Sequence, residues 1–326
     1  MYVDAGYLLA AAATRITGTS LRSGIEVDHE RLIKALVARA TECSGLPLLR
    51  VHWYDAAANG VPNRTQEEIG LLPKVKVRLG RIGVDGEQKG VDLRIGLDMV
   101  AHARNAAVEV IFLVSGDDDL SVAVEEAQAH GAQVSVLAVP TREGAAHGVS
   151  RHLLRAADGL ELLAADDLDA ALTPRGSTTP ASASATSARS DVPSPSLLAH
   201  RARPATPGRP TPSALDTGTP ARTHAALVCS SSTSSGTALA PGFRTVEDVA
   251  EPIDEVVSRV LKTWLGSATP HEQAELIANR PSIPRDIDRA LLQDLSDVLG
   301  VYDLNDVIRH ELRARFWREL DESARA

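Results

Sequence analysis

The sequence predicts an α/β fold: an open parallel sheet with helices on both faces, followed by a disordered linker and a small all-α domain. Short apolar runs alternate with helix-like patterns through the first part of the chain. Residues 173–242 are mostly Ser, Thr, Ala, Pro and Gly, a composition that buries too little apolar surface to fold. We therefore expect an α/β domain at 1–172, the linker at 173–242 and a helical domain at 243–326.

The elements follow from the apolar spacing. The chain begins on a strand that ends at Asp4, and an Ala-rich helical run follows at once. Asp28 suits the N-cap of the next helix. Strict alternation over residues 74–79 predicts a strand with a basic face and an apolar face. The remaining predicted elements are strands at 48–54, 108–114 and 133–139 and helices at 91–104 and 118–130.

Composition excludes several classes of protein. The formal charge is −9, divided as −7 for residues 1–172, +4 for 173–242 and −6 for 243–326, so only the linker is basic. Cys43 and Cys229 are the only cysteines, which excludes a disulfide framework and a Cys-based zinc site. No apolar stretch approaches the roughly 20 residues that span a bilayer. We expect a cytoplasmic protein with no membrane partner.

Four aspartates stand where parallel strands end or helices begin. Asp4 ends the first strand, and Asp117 and Asp119 follow the strand at 108–114. Asp92 lies in the first turn of the helix predicted at 91–104. Ligands bind at this edge of an open parallel sheet. Two carboxylates about 4 Å apart repel by roughly 4 kcal/mol, and a divalent cation relieves that repulsion. Oxygen-only ligands favour Mg²⁺ or Mn²⁺.

Each acid taken alone has a simpler interpretation. Asp4 could be a turn residue, Asp92 a partner of the helix dipole, and Asp117 an N-cap. Their joint placement at strand ends favours a site. A phosphatase of the haloacid dehalogenase type needs a second Asp two residues after the first, but that position is Gly6, and the chain has no Gly-rich phosphate loop.

Three motifs resemble those of the NYN domain, a branch of the PIN-like nucleases, over about residues 1–165. They are Val3-Asp4-Ala5-Gly6, Lys89-Gly90-Val91-Asp92 followed by Leu97-Asp98, and Val114-Ser115-Gly116-Asp117-Asp118-Asp119-Leu120. The resemblance implies that Asp4, Asp92, Asp117 and Asp119 hold Mg²⁺ or Mn²⁺ for cleavage of an RNA substrate. Asp98 matches a frequent family acid and is a secondary metal-ligand candidate. Many members carry Asn where this chain has Tyr7, so either Tyr7 supports the metal ligands through a different contact or the first motif tolerates the change.

Other residues have candidate roles around these acids. Ser115 either supports its loop or reaches a phosphate or a metal-bound water. Lys89 either neutralises substrate phosphate or offsets the neighbouring acids. The basic strand face, with one further arginine, is either a path for the RNA backbone or a solvated surface. The residues of that substrate path are Lys74, Lys76, Arg78 and Arg81.

The apolar spacing in the last part of the chain predicts helices whose core includes three aromatic residues, Trp264, Phe316 and Trp317. Its net acidic charge favours a protein partner or self-association over RNA. Three hypotheses stay open for the whole chain: a metal-dependent endoribonuclease, a catalytically weak module that binds RNA or protein, and a regulatory protein whose C-terminal helices are the active part. The helices are predicted at 246–264, 270–279, 285–299 and 303–320.

Overall fold

The computed structural model describes residues 1–82, 88–175, 247–301 and 303–323. The predicted linker, apart from its first three residues, lies outside these ranges. The strands are β1 (Tyr2–Asp4), β2 (Ile25–Val27), β3 (Val51–Ala58), β4 (Val75–Ile82), β5 (Gln88–Lys89), β6 (Val110–Val114), β7 (Gln133–Ala138), β8 (Gly159–Leu162) and β9 (Leu172–Pro174). The helices are α1 (Ala5–Thr17), α2 (His29–Ser44), α3 (Arg64–Gly70), α4 (Val91–Arg104), α5 (Ser121–Ala129), α6 (Arg151–Ala156), α7 (Ala165–Ala170), α8 (Ala250–Ser267), α9 (Pro270–Ala278), α10 (Arg285–Leu299) and α11 (Asp306–Ser323).

A seven-stranded sheet with the order β5-β4-β3-β1-β6-β7-β8 forms the centre of the N-terminal domain. Six of its strands are parallel, and β5 pairs antiparallel with β4 at one edge. The short strand β1 lies in the middle, pairing with β3 on one side and β6 on the other. The carboxyl end of β1 therefore lies at the centre of the sheet edge where ligands bind.

Helices cover both faces of this sheet because successive strand residues point to opposite sides. On one face, Val3 and Trp53 pack with α1 and α2. On the other face, Tyr2 and Tyr54 pack with α4 and α5. The predicted fold, an open parallel sheet with helices on both faces followed by C-terminal helices, is confirmed.

Three strands begin later than the sequence pattern predicts, and one of them is β6, which begins at Val110 instead of residue 108. β3 begins at Val51, and the residues before it, including the exposed Leu49, precede the sheet. Lys74 is not on a strand: it has a φ of +65° in the turn before β4, and its ammonium donates to the carbonyl oxygen of Leu48 at 3.1 Å. The prediction that Lys74 shares a strand face with Lys76 and Arg78 is therefore wrong.

The folded N-terminal part continues slightly beyond the predicted boundary at residue 172. β9 pairs antiparallel with β2, and the Arg175 N–H donates to the carbonyl oxygen of Gly24 at 2.9 Å. The predicted helix at 118–130 is divided into a 3-10 turn, Asp118–Leu120, and α5.

The C-terminal helices pack around a core of their own. The buried side chains include Trp264 of α8 and Phe316 of α11, as predicted, while Trp317 is half-buried with the Arg280 guanidinium 4.7 Å above its ring. No helix in the described parts of the chain is both long enough and apolar enough to cross a membrane.

The segment after α1 joins these helices to the N-terminal domain. Leu21 is fully buried in the C-terminal core, and the Ser20 N–H donates to Asp294 Oδ1 of α10 at 2.9 Å. Gly24 faces α8 so closely that an added Cβ would lie 2.5 Å from Thr263 Cγ2. The α8–α11 bundle is thus seated on the N-terminal domain through residues 20–24.

We expect Leu21→Ala to lower the free energy of unfolding by about 2–5 kcal/mol, because it leaves a cavity in the core that the two parts share. Urea denaturation of the full chain measures this. Leu49→Ala is the matched control, since Leu49 is 63% exposed and its truncation should cost far less. Equal losses for the two variants would show that the docking contact contributes little.

Candidate active site

Asp4 combines a structural and a potential chemical role at the end of β1. Its Oδ1 accepts hydrogen bonds from the N–H groups of Gly6 at 2.8 Å and Tyr7 at 3.3 Å, so the side chain caps α1. Its Oδ2 accepts from the Ser115 hydroxyl at 3.3 Å. These three donors fix the carboxylate in position.

The three consecutive aspartates after β6 divide into different roles. Asp117 Oδ1 accepts from the Asp119 N–H at 3.0 Å and caps the 3-10 turn. Asp118 Oδ1 accepts from the Ser150 hydroxyl at 2.6 Å, which ties this turn to the start of α6. The Asp119 side chain is exposed. Ser115 is buried, and its hydroxyl oxygen also accepts from the Asp117 N–H at 3.3 Å, in keeping with a supporting role.

Asp92 reaches the same place from α4. Gly90 precedes the helix with a φ of +79°, a left-handed conformation that favours glycine, and it offers no side chain to cap the helix. Asp92 then stands in the first turn, where the helix dipole favours a negative charge.

These acids meet in a cavity of about 340 Å³. Asp4, Asp92 and Asp117 line it, whereas Asp119 lies outside the lining. The structure therefore brings three of the four primary acids predicted from the sequence to one cavity. The other lining residues are Gly6, Tyr7, Ala10, Ser20, Arg22, Val91, Gly116, Gly148, Asp286, Arg289 and Gln293.

The charges of the acids act on one another. Burial, followed by the charges of Asp92 and Asp117, raises the pKa of Asp4 to about 6, although the hydrogen bonds from Tyr7 and Gly6 oppose this. Burial, with the charges of Asp117 and Asp119, also raises the pKa of Asp92. Asp119 thus belongs to the electrostatic cluster even though it does not line the cavity.

The donor chemistry of the cluster suits a hard divalent cation, because it offers carboxylate oxygens whose mutual repulsion a cation would relieve. The described residues contain no group of three or more Asp, Glu, His or Cys side chains already arranged to hold a metal ion. The residue types therefore fit a cation, although the described carboxylates are not grouped closely enough to coordinate one together.

Tyr7, the departure from the family motif, supports the floor of the cavity. Its hydroxyl donates to the carbonyl oxygen of His147 at 2.7 Å. Burial raises the pKa of Tyr7, so it remains a donor. A Cβ on Gly116 would lie 1.9 Å from the Gly148 carbonyl oxygen and 2.9 Å from Tyr7 Cε2, which explains why glycine stands at that position.

The secondary candidate Asp98 lies in a different environment. Its Oδ2 accepts from the Tyr54 hydroxyl at 2.9 Å and lies 3.2 Å from Arg78 Nε. Arg78, predicted to contact RNA, therefore already has a carboxylate partner. Lys76 and Arg81 are exposed on β4, while the Lys89 side chain lies outside the described residues.

Four residues that line the cavity lie outside the acidic motifs and were not predicted from the sequence. Arg22 lies in a 3-10 turn after α1, and Asp286, Arg289 and Gln293 lie on α10. Apolar spacing predicts where α10 runs, but it does not show that the polar face of this helix lines the same cavity as the acids.

Comparison with known proteins supports the N-terminal assignment. Residues 2–163 match the family model of the NYN domain, and the C-terminal region has no family match. A stretch of 79 residues is 39% identical to the uncharacterized protein y4oD of Sinorhizobium fredii (strain NBRC 101917 / NGR234), covering 24% of this chain and 37% of that protein. The chain thus spans little more than a third of that relative. No solved structure matches the chain.

We expect Asp4→Asn to stabilise the fold above pH 6 in metal-free buffer. The folded-state pKa of about 6 lies above the ordinary 3.8, so ionising Asp4 destabilises the fold progressively as pH rises from about 4 to 6. At about 1.4 kcal/mol per pKa unit, the gain for Asn, which still caps α1, is about 1–3 kcal/mol at pH 7.5 and vanishes below pH 4.

The measurement is urea denaturation at pH 4 and pH 7.5. Asp28→Asn makes the same substitution at the exposed N-cap of α2 and controls for the change of capping residue. A stability gain of equal size at both pH values would refute the electrostatic explanation.

Proposed function

Because residues 2–163 belong to the NYN domain family, we propose that this protein is a metal-dependent endoribonuclease that hydrolyses RNA phosphodiester bonds. The family supports a nuclease-type fold and a nucleic-acid substrate; RNA and the metal are parts of the proposal. The observation that carries it is the convergence of Asp4, Asp92 and Asp117 on one cavity at the carboxyl edge of the sheet.

Asp4, Asp92, Asp117 and Asp119 are the residues that would hold Mg²⁺ or Mn²⁺. When bound, such a cation supplies Lewis acidity, which lowers the pKa of a water molecule and stabilises charge on a phosphate. The protein's own contribution is to orient the carboxylates. Ser115 and the N–H groups of Gly6 and Tyr7 hold Asp4 in place. Asp98 stays a secondary metal-ligand proposal, engaged here by Tyr54 and Arg78.

Basic residues outside the cavity would contact the RNA backbone. Lys76 and Arg81 are exposed on β4 and keep the proposed role of contacting the RNA backbone. Lys89 keeps this role too, and its backbone on β5 pairs with that of Arg81. Lys74 and Arg78 have protein partners in the structure, so their contribution to RNA binding would require them to exchange those contacts.

A catalytically weak RNA- or protein-binding module is the second candidate. The observation that favours it is that no three of the described acidic side chains are arranged to hold a metal ion. The same module could use its acidic C-terminal helices for a protein partner or for self-association. Exposed apolar side chains on α9 and α11, Ile277 and Val307, are places where such a partner could contact it.

We expect Asp117→Asn and Asp92→Asn each to reduce Mn²⁺-dependent cleavage of single-stranded RNA at least a hundredfold, because each removes a negative charge from the cluster that would hold the cation. The assay is gel analysis of an end-labelled RNA oligonucleotide. Asp118→Asn is the matched control: it neutralises the neighbouring acid, whose structural bond from Ser150 an Asn oxygen can still accept, so cleavage should persist.

The two candidate functions predict different results in this RNA cleavage assay. If the wild type cleaves no faster than Asp117→Asn, and circular dichroism shows that both are folded, the enzyme proposal fails and the binding module is preferred. If Asp118→Asn loses as much activity as Asp117→Asn, the loss reflects the integrity of the turn and does not identify ligands.

Metal binding can be tested without an activity assay. We expect Mn²⁺ at about a hundred times its dissociation constant to stabilise the wild type by about 2.7 kcal/mol, because it binds the folded state alone. A thermal melt with and without Mn²⁺, and after removal of the metal with EDTA, measures the shift. Asp92→Asn should show a much smaller shift, while Asp118→Asn should respond like the wild type; equal shifts in all three would place the metal elsewhere.

A further inference from the structure

The cavity that holds the acids has a second wall, which comes from the C-terminal helices. Asp286, Arg289 and Gln293 line it, and their spacing of three and four residues places them on one face of α10. Arg22, in the turn after α1, lines the cavity beside them. Two arginines and one further acid, Asp286, therefore line the same cavity as Asp4, Asp92 and Asp117.

Specific contacts fix this second wall in place. Asp286 Oδ2 accepts from the Ser23 hydroxyl at 3.3 Å, and Asp294 Oδ1 accepts from the buried Ser20 N–H at 2.9 Å. Between these two bonds, Leu21 is buried in the core of the helices. The face of α10 is thus held against the segment that carries Arg22, and its position over the acids follows from packed and hydrogen-bonded contacts.

The two arginines are not used as structural ion-pair partners. Elsewhere Arg15 binds Asp169, and Arg313 binds Asp288, each with two nitrogens. Within the described ranges, neither Arg22 nor Arg289 has a carboxylate oxygen within 4.0 Å.

Placing the two cations together is electrostatically unfavourable. Partial desolvation and the charge of Arg22 both lower the pKa of Arg289, while Asp4 and Asp286 oppose this from a distance. A cost of this kind, with unused donors, is common where a protein binds a charged ligand.

We propose that Arg289 and Arg22 bind a phosphate group of the RNA substrate, so that the C-terminal helices supply the cationic wall of the active site. This rests on the proposed nuclease function. The planar guanidinium fork matches two phosphate oxygens, and both arginines line the cavity that the acids also line. An inhibitory plug would instead place a guanidinium in contact with the acids, and no such contact is made in the described part of the chain.

The test measures binding separately from cleavage. Fluorescence anisotropy of a labelled single-stranded RNA oligonucleotide is measured with the full chain in the Asp117→Asn background, so that cleavage does not consume the probe. We expect Arg289→Gln to weaken binding about tenfold or more, the effect of losing one charge-assisted hydrogen bond. The slope of log affinity against log salt concentration should fall in magnitude by about 0.7, the value for one lost phosphate contact.

Two further variants separate the site from general charge effects. Arg318→Gln makes the same charge change on an arginine of α11 that is 63% exposed and does not line the cavity, and it should bind like its parent. Arg289→Lys keeps the charge without the fork, so it should keep the salt slope and recover part of the affinity. Matching circular dichroism melts confirm that the variants are folded.

Each outcome decides between the alternatives. Unchanged binding in Arg289→Gln, or equal losses in Arg289→Gln and Arg318→Gln, overturns the proposal. So does faster cleavage when Arg289→Gln is placed in the wild-type background, because that result identifies an inhibitory plug. If Arg289→Gln weakens binding but wild-type protein never cleaves RNA, the phosphate site stands and the nuclease function fails. If the wild type cleaves RNA and Arg289→Gln changes neither binding nor cleavage, the nuclease function stands and the phosphate site is rejected.

Discussion

The carboxylate of Asp4 is the constraint on which the rest of the site depends. It ends the central strand of the sheet, caps α1, and accepts the Ser115 hydroxyl from the loop after β6. These contacts bring it beside the charges of Asp92 and Asp117, which with burial raise its pKa. The fold therefore holds a carboxylate where ionisation is unfavourable, a cost that a ligand of positive charge can offset. The surrounding loops serve to keep that arrangement.

Much of the fold follows from local sequence signals. The predicted ranges of α4 and α10 agree with the structure, and a glycine marks the start of α4 and the end of α10. By contrast, β2 and β9 have three residues each and show no period. The acidic wall is predictable because parallel strands end at one edge. Arg289 is not, since its placement depends on how α10 meets residues 20–23, a tertiary contact without a local signature.

The two walls of the cavity differ in how the chain builds them. Backbone topology sets the acidic wall, because strand ends and helix starts of one sheet converge whatever the surface sequence. Side-chain docking sets the cationic wall, with Leu21 as its anchor. The acidic half can therefore belong to a family, while the cationic half belongs to this arrangement of helices. The family match covers the residues of the acidic wall, and it does not include the C-terminal helix that carries Arg289.

The pairing of β9 with β2 has a consequence for the long segment that follows it. Arg175 is bonded to Gly24, and Val249, two residues after the described chain resumes, is buried in the same core as Leu21. The described residues on both sides of this segment are thus held by the folded part of the chain, one by a backbone hydrogen bond and the other by burial in a core. The entropy of loop closure changes by only about 0.6 kcal/mol when the loop doubles in length. Insertions or deletions within residues 176–246 should therefore change the free energy of folding little through loop closure, so stability constrains the length of this segment only weakly.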